Sequence, residues 1–282
     1  MMWGLLTLAS AATLTGTITD AEGQPVDNAF VIIYDSRFQF EFEQTGPDGV
    51  FRVEDLPADR YRVRVLPPSS SDSAEVWAGG TLGACNAPPF TVEADAVQVV
   101  DVELAEGAQL TGRILVDGQP AQGVRVTART QRTGLVAQNR FDFTDINGNY
   151  IIRGITPDQD GVGVYAVEAQ VLEFPTQFLP GVYSAEQAAT VELAGGEAEV
   201  LPDFELLRGV SVSGTVSGPQ GGVDGGQVVA FSSGQSVTAP IAGGQYTARG
   251  MRPGDVLVWA YADGLATSYY PSSPTPGERI SL

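Results

Sequence analysis

Three side-chain oxygens at alternate positions, Asp145, Asn147 and Asn149, with Gly148 free to turn the chain, form the outline of a weak calcium loop. No Glu follows at the spacing that gives a helical calcium loop its bidentate ligand. The same residue types favour a tight hairpin, because Asp, Asn and Gly tolerate left-handed backbone. The hairpin is the preferred reading, and no metal is expected. A second candidate is the acidic group Glu41, Glu43, Asp48, Glu54, Asp55 and Asp59. Paired carboxylates drive glycosidases and aspartic proteases. Here the alternation of Phe38, Phe40 and Phe42 with Gln39, Glu41 and Glu43 predicts a strand with rings on one face and a solvated acidic face on the other. A third set is aromatic: Trp77, Phe178, Tyr183, Trp259, Tyr261, Tyr269 and Tyr270. Exposed rings can stack on sugar faces, and Trp77, Phe178, Tyr183, Tyr269 and Tyr270 are the candidate carbohydrate-binding residues. Core packing or contact between domains is the competing expectation and the favoured one.

Absences exclude more chemistry than these candidates offer. The 282 residues contain no His, and all 15 basic residues are Arg. Ser-His or Cys-His nucleophilic pairs, His-containing zinc sites and an imidazole base are therefore impossible. Without Lys there is no Schiff base and no phosphate-loop lysine. A net charge of −19 sets the field against nucleic acid and anionic lipid. Cys85 is alone, so the chain makes no internal disulfide and must rely on its cores. Leu82-Gly83-Ala84-Cys85 looks like a lipoprotein cleavage motif, but no N-terminal apolar run directly precedes it. Trp3 to Leu8 followed by Ala9-Ser10-Ala11-Ala12 reads as an atypical signal peptide without a basic start, against a first strand as the alternative. Nothing else approaches the roughly 20 apolar residues needed to cross a bilayer.

Stepping from sites to scaffold, 34 Gly and 18 Pro punctuate a chain that is 43% hydrophobic, which suits many short strands joined by turns. The chain also repeats itself. Leu14-Thr-Gly16-Thr-Ile18, Leu110-Thr-Gly112-Arg-Ile114 and Val212-Ser-Gly214-Thr-Val216 recur at about the length of a small β-sandwich domain. Landmarks follow in constant order. Turns containing Gly23-Gln-Pro25 and Gly118-Gln-Pro120 lead into apolar strands at Phe30–Tyr34, Val124–Ala128 and Val228–Phe231. Hairpins centred on Gly49, Gly148 and Gly244 come next, each with an aromatic two residues later: Phe51, Tyr150 and Tyr246. Alternating strands beginning at Tyr61, Tyr165 and Val256 follow. After the first two modules a further strand, 99–104 or 202–206, runs into the next module. The third stops before it, predicting either an edge-incomplete domain or a fragment of a longer chain.

At Gly23-Gln-Pro25-Val26, at Thr144-Asp145-x-x-Gly148-x-Tyr150, and at Leu56-Pro57 with Tyr61-x-Val63, the chain resembles the carboxypeptidase regulatory-like domains. The resemblance implies a transthyretin-like (prealbumin-like) sandwich close to the collagen-adhesin B-type repeats. Two properties of those relatives do not transfer. The internal Lys to Asn isopeptide bond of adhesin repeats needs Lys, and the zinc catalytic domain beside which the regulatory domain sits needs His ligands.

The expected organisation is all-β: three tandem seven-strand-type Greek-key sandwiches of prealbumin-like or Ig-like kind, the third incomplete at its C-terminus. The expected boundaries are 1–12 for the leader, then 13–109, 110–211 and 212–282. The motifs specify turns and core positions and are nearly silent about activity. The expected function is a non-enzymatic exported or cell-surface structural or adhesive array, a spacer or protein-interaction scaffold. A carbohydrate-binding array is the alternative. Expected partners are a protein or glycan at a cell surface, with no cofactor, no nucleic acid and no membrane span. The expected location is extracellular, cell-surface or periplasmic.

Overall fold

The computed structural model describes residues 11–80, 87–131, 140–157, 161–271 and 275–282. Cys85 and the run Trp3 to Leu8 lie outside the described residues. The chain is all-β, with a single 3-10 turn at Ala185–Gln187 among the described residues.

The first module contains β1 (Ala12–Thr19), β2 (Phe30–Tyr34), β3 (Phe40–Gln44), β4 (Val50–Leu56), β5 (Asp59–Leu66), β6 (Val76–Trp77), β7 (Phe90–Val92), β8 (Val97–Val99) and β9 (Val102–Glu103). One sheet runs β4-β1-β8 with β9 also on β1, and the other runs β3-β2-β5-β6 with β7 on β5. The second module repeats this with β10 (Ala108–Val116), β11 (Gln119–Pro120), β12 (Arg125–Thr130), β13 (Arg140–Phe143), β14 (Asn149–Ile155), β15 (Val162–Gln170), β16 (Gln177–Phe178), β17 (Thr190–Ala194), β18 (Ala198–Val200) and β19 (Phe204–Glu205). Its sheets are β11-β10-β14, with β18 and β19 on β10, and β13-β12-β15-β16, with β17 on β15. The third has β20 (Val210–Thr215), β21 (Ser217–Gly218), β22 (Gly221–Gly222), β23 (Gln227–Ser232), β24 (Gln235–Pro240), β25 (Gln245–Met251), β26 (Asp255–Tyr261), β27 (Ser268–Tyr269) and β28 (Ile280–Ser281). Here β20 pairs with β25, β21 with β22, and the other sheet runs β24-β23-β26-β27 with β28 on β26.

Strand residues alternate between the two faces as the sequence requires. In β1 the even positions Ala12, Leu14, Gly16 and Ile18 are buried and the odd ones half-buried. Each module has its own apolar cluster: Leu14, Ile18, Phe51 and Val63 in the first, Leu110, Ile114, Tyr150 and Val167 in the second, Val212, Val228, Ala248 and Val258 in the third.

The hairpin glycines are required twice over. Gly49, Gly148 and Gly244 sit at φ of 73°, 77° and 75°, and a Cβ on Gly49 or Gly148 would lie 2.5 Å from the carbonyl oxygen of Ile18 or Ile114. Beside this turn a buried Thr does a backbone's work. Thr45 Oγ1 accepts the Ala29 N–H at 2.9 Å and donates to Val26 O at 2.6 Å. Thr144 does the same for Val124 N–H (2.9 Å) and Ala121 O (2.6 Å). The Thr of the hairpin motif therefore closes one buried N–H and one half-buried carbonyl.

The opening ladder also shifts register in every module, between Ala12 and Leu14, Ala108 and Leu110, and Val210 and Val212. On the facing strand, Asp55, Gly154 and Gly250 take φ of 60°, 63° and 73°, the left-handed residue of a β-bulge. These bulges set the strand starts earlier than the apolar-hydroxyl-Gly motif suggested, since β10 and β20 begin at Ala108 and Val210. Likewise β1 takes in Ala12, which is fully buried in the first core.

Candidate functional site

The polar candidates resolve into turn chemistry. Asp145 Oδ1 accepts the N–H of Asn147 and of Asn149, both at 2.8 Å, and the bond from Asn149 leads in holding this carboxyl below its ordinary pKa. Its carboxylate is thus committed to its own hairpin. In the acidic group, Asp48 accepts the Val50 N–H at 3.1 Å, Glu54 pairs with Arg52 at 2.7 Å, and Asp59 accepts the Ser36 hydroxyl at 2.7 Å. That hydroxyl is the main reason the Asp59 carboxyl sits low. Among the described residues no three Cys, Asp or Glu gather as a metal site would require.

The aromatic residues fall in an ordered pattern on the outward faces of the second sheets. In the first module Ile32 stands opposite Phe42 and Arg64, and Tyr34 opposite Phe40 and Arg62. Phe38, Phe40 and Phe42 are 62–67% exposed. All five residues of β3 are open, so the expected split into a ring face and a solvated face becomes an edge strand wet on both. Arg62 lies 6.0 Å from the Phe38 ring centre. In the second module Arg125 stands opposite Phe143 and sits 4.2 Å over the exposed ring of Phe141, a cation–π contact.

Trp77, Phe178 and Tyr269 occupy one register position, opposite Arg64, Glu168 and Trp259 on the strand next to them. Sequence reasoning offered all three as exposed rings. Trp77 and Phe178 are instead 5% and 3% exposed. Trp77 stacks on Tyr34 with centroids 5.4 Å apart and has Arg64 over its ring at 5.8 Å. Phe178 and half-buried Tyr183 line a cleft shared with Arg252 and Pro253 of the third module, the contact between domains named as the competing expectation. Tyr269 is half-buried against Trp259 (5.9 Å), while Tyr261 and Tyr270 are exposed.

Sequence reasoning found the links between modules short but missed the glycine contacts that repeat at both joints. The last core residue of a module is Leu104 or Leu206, and the next module enters at Gly107 or Gly209, with only Ala105-Glu106 or Leu207-Arg208 between. Gly107 packs on the bulge glycine Gly154, where a Cβ would lie 2.5 Å from the Gly154 Cα. Gly209 packs on Gly250 in the same way, at 2.7 Å from its carbonyl carbon. The bulge glycines also receive a loop of the preceding module, between β5 and β6 or between β15 and β16. A Cβ on Gly154 would stand 2.5 Å from Ser73 O, and one on Gly250 would collide with Glu173. Next to each glycine an Arg reaches the same loop, Arg153 to Asp72 at 2.7 Å and Arg249 to Glu173 at 3.9 Å.

Further bonds lock each joint. Gly107 N–H donates to Asp72 O at 2.9 Å, Ala74 N–H to Ala105 O at 2.8 Å, and Glu75 N–H to Thr156 Oγ1 at 3.1 Å. Glu75, buried beside that Thr, is held by both guanidinium arms of Arg64. At the second joint the fully buried Gln177 amide binds Leu207 on both sides, accepting its N–H at 2.9 Å and donating to its carbonyl at 2.8 Å. Arg208 turns back onto Asp117 at 2.5 Å and lowers that carboxyl's pKa. The available signal was Arg153-Gly154 and Arg249-Gly250 at one offset from the hairpin glycine, where the first module has Glu54-Asp55.

Comparison with known proteins comes to rest on the first of these modules. Residues 13–105 match the family model of the carboxypeptidase regulatory-like domain. No curated protein sequence matches the chain significantly. Among solved structures, a streptococcal ancillary pilin is 13% identical, covers 96% of this chain and 95% of its own length, with a TM-score of 0.33. The minor pilin of Streptococcus agalactiae is 16% identical over 70% of this chain and 96% of that one, TM-score 0.33. The Bacillus anthracis TIE protein is 12% identical over 97% of this chain, TM-score 0.29, and the chain spans about half its length, 48%. No helix among the described residues is long and apolar enough to cross a membrane. The two sheets of the first module and its Thr45 and Gly49 hairpin lie within the residues that match the carboxypeptidase regulatory-like domain.

Proposed function

We propose that this chain is a non-enzymatic, exported structural array, in which stiff sandwich modules act as a spacer and present aromatic–arginine faces to a protein partner. The observation that carries this reading is the duplicated joint. Gly107 on Gly154 and Gly209 on Gly250 bring backbones into contact that no side chain would permit, and a two-residue link leaves no slack for a flexible tether. An enzyme gains nothing from two such locks, whereas a spacer depends on them. Contact with a partner is assigned to the open rings of Phe38, Phe40 and Phe42 and of Phe141 and Phe143, since exposed aromatics beside Arg are the composition of interface cores. The location outside the cytoplasm rests on the apolar run and small residues preceding β1.

Small-angle scattering tests the spacer. A particle elongated by three modules is expected, and a compact globule would overturn the reading. A second reading, sugar binding, is favoured by the exposed ring of Tyr270 next to Tyr269. A glycan array with the wild type and with Tyr269→Ala and Tyr270→Ala decides it; binding that survives both substitutions removes these rings from any sugar site.

A further inference from the structure

Among the described residues two buried side-chain atoms have no hydrogen-bond partner, Arg252 Nε and Ser232 Oγ, and such orphans are rare enough to need a cause. Both belong to the third module where it meets the second. Gly254 follows Arg252-Pro253, and a Cβ on it would lie 3.6 Å from Ser232 Oγ and 3.8 Å from Ser233 Oγ. Arg252 Nη1 reaches the Ser233 carbonyl only at 3.3 Å, and no ion pair among the described residues uses this guanidinium. In a chain with 34 acidic residues and 15 Arg, a half-buried Arg without a carboxylate stands out.

The first joint shows how the isolation arises. Two residues past the bulge glycine Gly154 stands Thr156, whose Oγ1 accepts the Glu75 N–H, and Glu75 is held by Arg64. Two residues past Gly250 the chain has Arg252, and two residues before Phe178, where Glu75 precedes Trp77, it has Thr176. The acid has gone from one side of the joint and a cation has entered on the other. The cleft there measures about 470 Å³, within the roughly 300–1,000 Å³ of small-molecule sites. Phe178, half-buried Tyr183, Ser184, Gln187 and Ser233 line it with Arg252, and no Asp or Glu does. Three other clefts of the described surface carry acids: Asp72, Glu106 and Glu197 at the first joint, Asp224 and Asp263 in the third module, and Glu173, paired with Arg249, beside the second joint.

We propose that this cleft binds a carboxylated sugar, a single uronic-acid unit. A guanidinium with unused donors pairs a carboxylate in a planar fork. The hydroxyls of Ser184 and Ser233 and the amide of Gln187 both donate and accept, as the hydroxyls of a sugar ring require. Ser184 keeps its hydroxyl hydrogen for this, since its oxygen caps the 3-10 turn by accepting the Glu186 N–H at 3.3 Å. Tyr183 supplies the ring on which a sugar face stacks. The net charge of −19 opposes a long polyanion, so the fitting ligand carries its carboxylate singly, at a chain end or among neutral sugars. The proposal goes beyond the spacer and does not depend on it, and its residues are other than Tyr269 and Tyr270.

The test titrates the full isotope-labelled chain with methyl glucuronide, and separately with methyl glucoside and with acetate, the two halves of that ligand. Saturable one-to-one binding of the glucuronide is expected, with amide shifts at Ser184, Gln187, Ser233 and Arg252. Glucoside and acetate should each bind roughly tenfold more weakly, and Arg252→Gln should bring the glucuronide down to the level of the glucoside. Tyr269→Ala with Tyr270→Ala should change nothing, which separates this cleft from a sugar site at those rings. Should Arg252→Gln melt early, Tyr183→Ser carries the comparison: it should weaken glucuronide and glucoside alike and leave acetate as it was. Absence of saturable binding, equal affinity for glucuronide and glucoside, or acetate bound as tightly as the glucuronide overturns the proposal. So do shifts that fall on Tyr269 and Tyr270 instead, or affinity indifferent to both Arg252→Gln and Tyr183→Ser.

Discussion

Replacing Gly154 by Asn separates the fold of the second module from its joint with the first. Asn tolerates left-handed backbone better than most residues, and Asp55 already holds the equivalent bulge of the first module at φ 60°. The bulge itself should survive. The new Cβ, however, would stand 2.5 Å from Ser73 O and 2.9 Å from Ser71 O, so the loop of the first module must withdraw. With it go the bonds from Gly107 N–H to Asp72 O and from Ala74 N–H to Ala105 O, each contributing about 1 kcal/mol net. The Arg153–Asp72 pair is largely solvated and adds less. The joint thus loses about 2 kcal/mol, roughly a thirtyfold change in its closed-to-open ratio. Nitroxides at Glu22→Cys in a turn and Gln119→Cys at the start of β11, both exposed, in a Cys85→Ser background, report the distance between modules by pulsed dipolar spectroscopy. The wild type should give one narrow distribution and Gly154→Asn a broad one, with the urea midpoint of the second module nearly unchanged. Asp55→Gly, which touches no joint, should leave the distribution alone. A Gly154→Asn distribution as narrow as the wild type's would refute the glycine lock and weaken the spacer with it.

Thr144→Val should cost the second module about 1–3 kcal/mol in urea unfolding, because the buried Val124 N–H loses its acceptor and the half-buried Ala121 O its donor; a loss under about 0.5 kcal/mol would contradict that role. Gly148→Ala should destabilise the same hairpin by about 1–3 kcal/mol, since its φ of 77° and the nearness of Ile114 O both oppose a Cβ, and an unchanged melting curve would count against the turn. The Asp117 carboxyl is held low by Arg208, so the bond that pins the second link is present above the ordinary carboxylate range and is lost as pH falls through the lowered value. In a carboxyl-detected titration Arg208→Ala should move the Asp117 midpoint upward, and a midpoint that stays put would mean the pair is absent in solution. Phe40→Ser with Phe42→Ser should leave thermal stability within about 0.5 kcal/mol, as both rings are solvated, while reducing retention of the protein on its partner surface; undiminished retention would move the contact elsewhere.

The scaffold was legible in the residues alone because its signals are local. Period-2 alternation places Leu14 and Ile18 on one face whatever the rest of the chain does, and Asp-Gly or Asn-Gly at Gly49 and Gly148 specifies left-handed backbone within four residues. The repeat of these landmarks therefore exposed three related modules and the resemblance of the first. The work of Thr144 could be placed in a motif but not explained, since its two partners, Val124 and Ala121, are brought to it only by the turn of the sheet.

What tertiary structure decided was exposure and contact over long separations. Sequence left Trp77 and Phe178 open between free rings and packed ones; Tyr34 stacks on the first, and the second lies buried beside the neighbouring module. Phe40 and Phe42 alternate as a half-buried strand would, yet β3 is an edge with solvent on both sides. Gly154 and Gly250 are sockets for Ser73 and Glu173 of the preceding modules, a role that depends on backbones far apart in the chain meeting; the repeat of Arg-Gly after the hairpin marks the positions without saying what they meet. The sequence by itself determined strands, turns and cores, because those follow from each residue's own backbone and polarity; the packing of one module on the next decided which surfaces lock and which remain open to a partner.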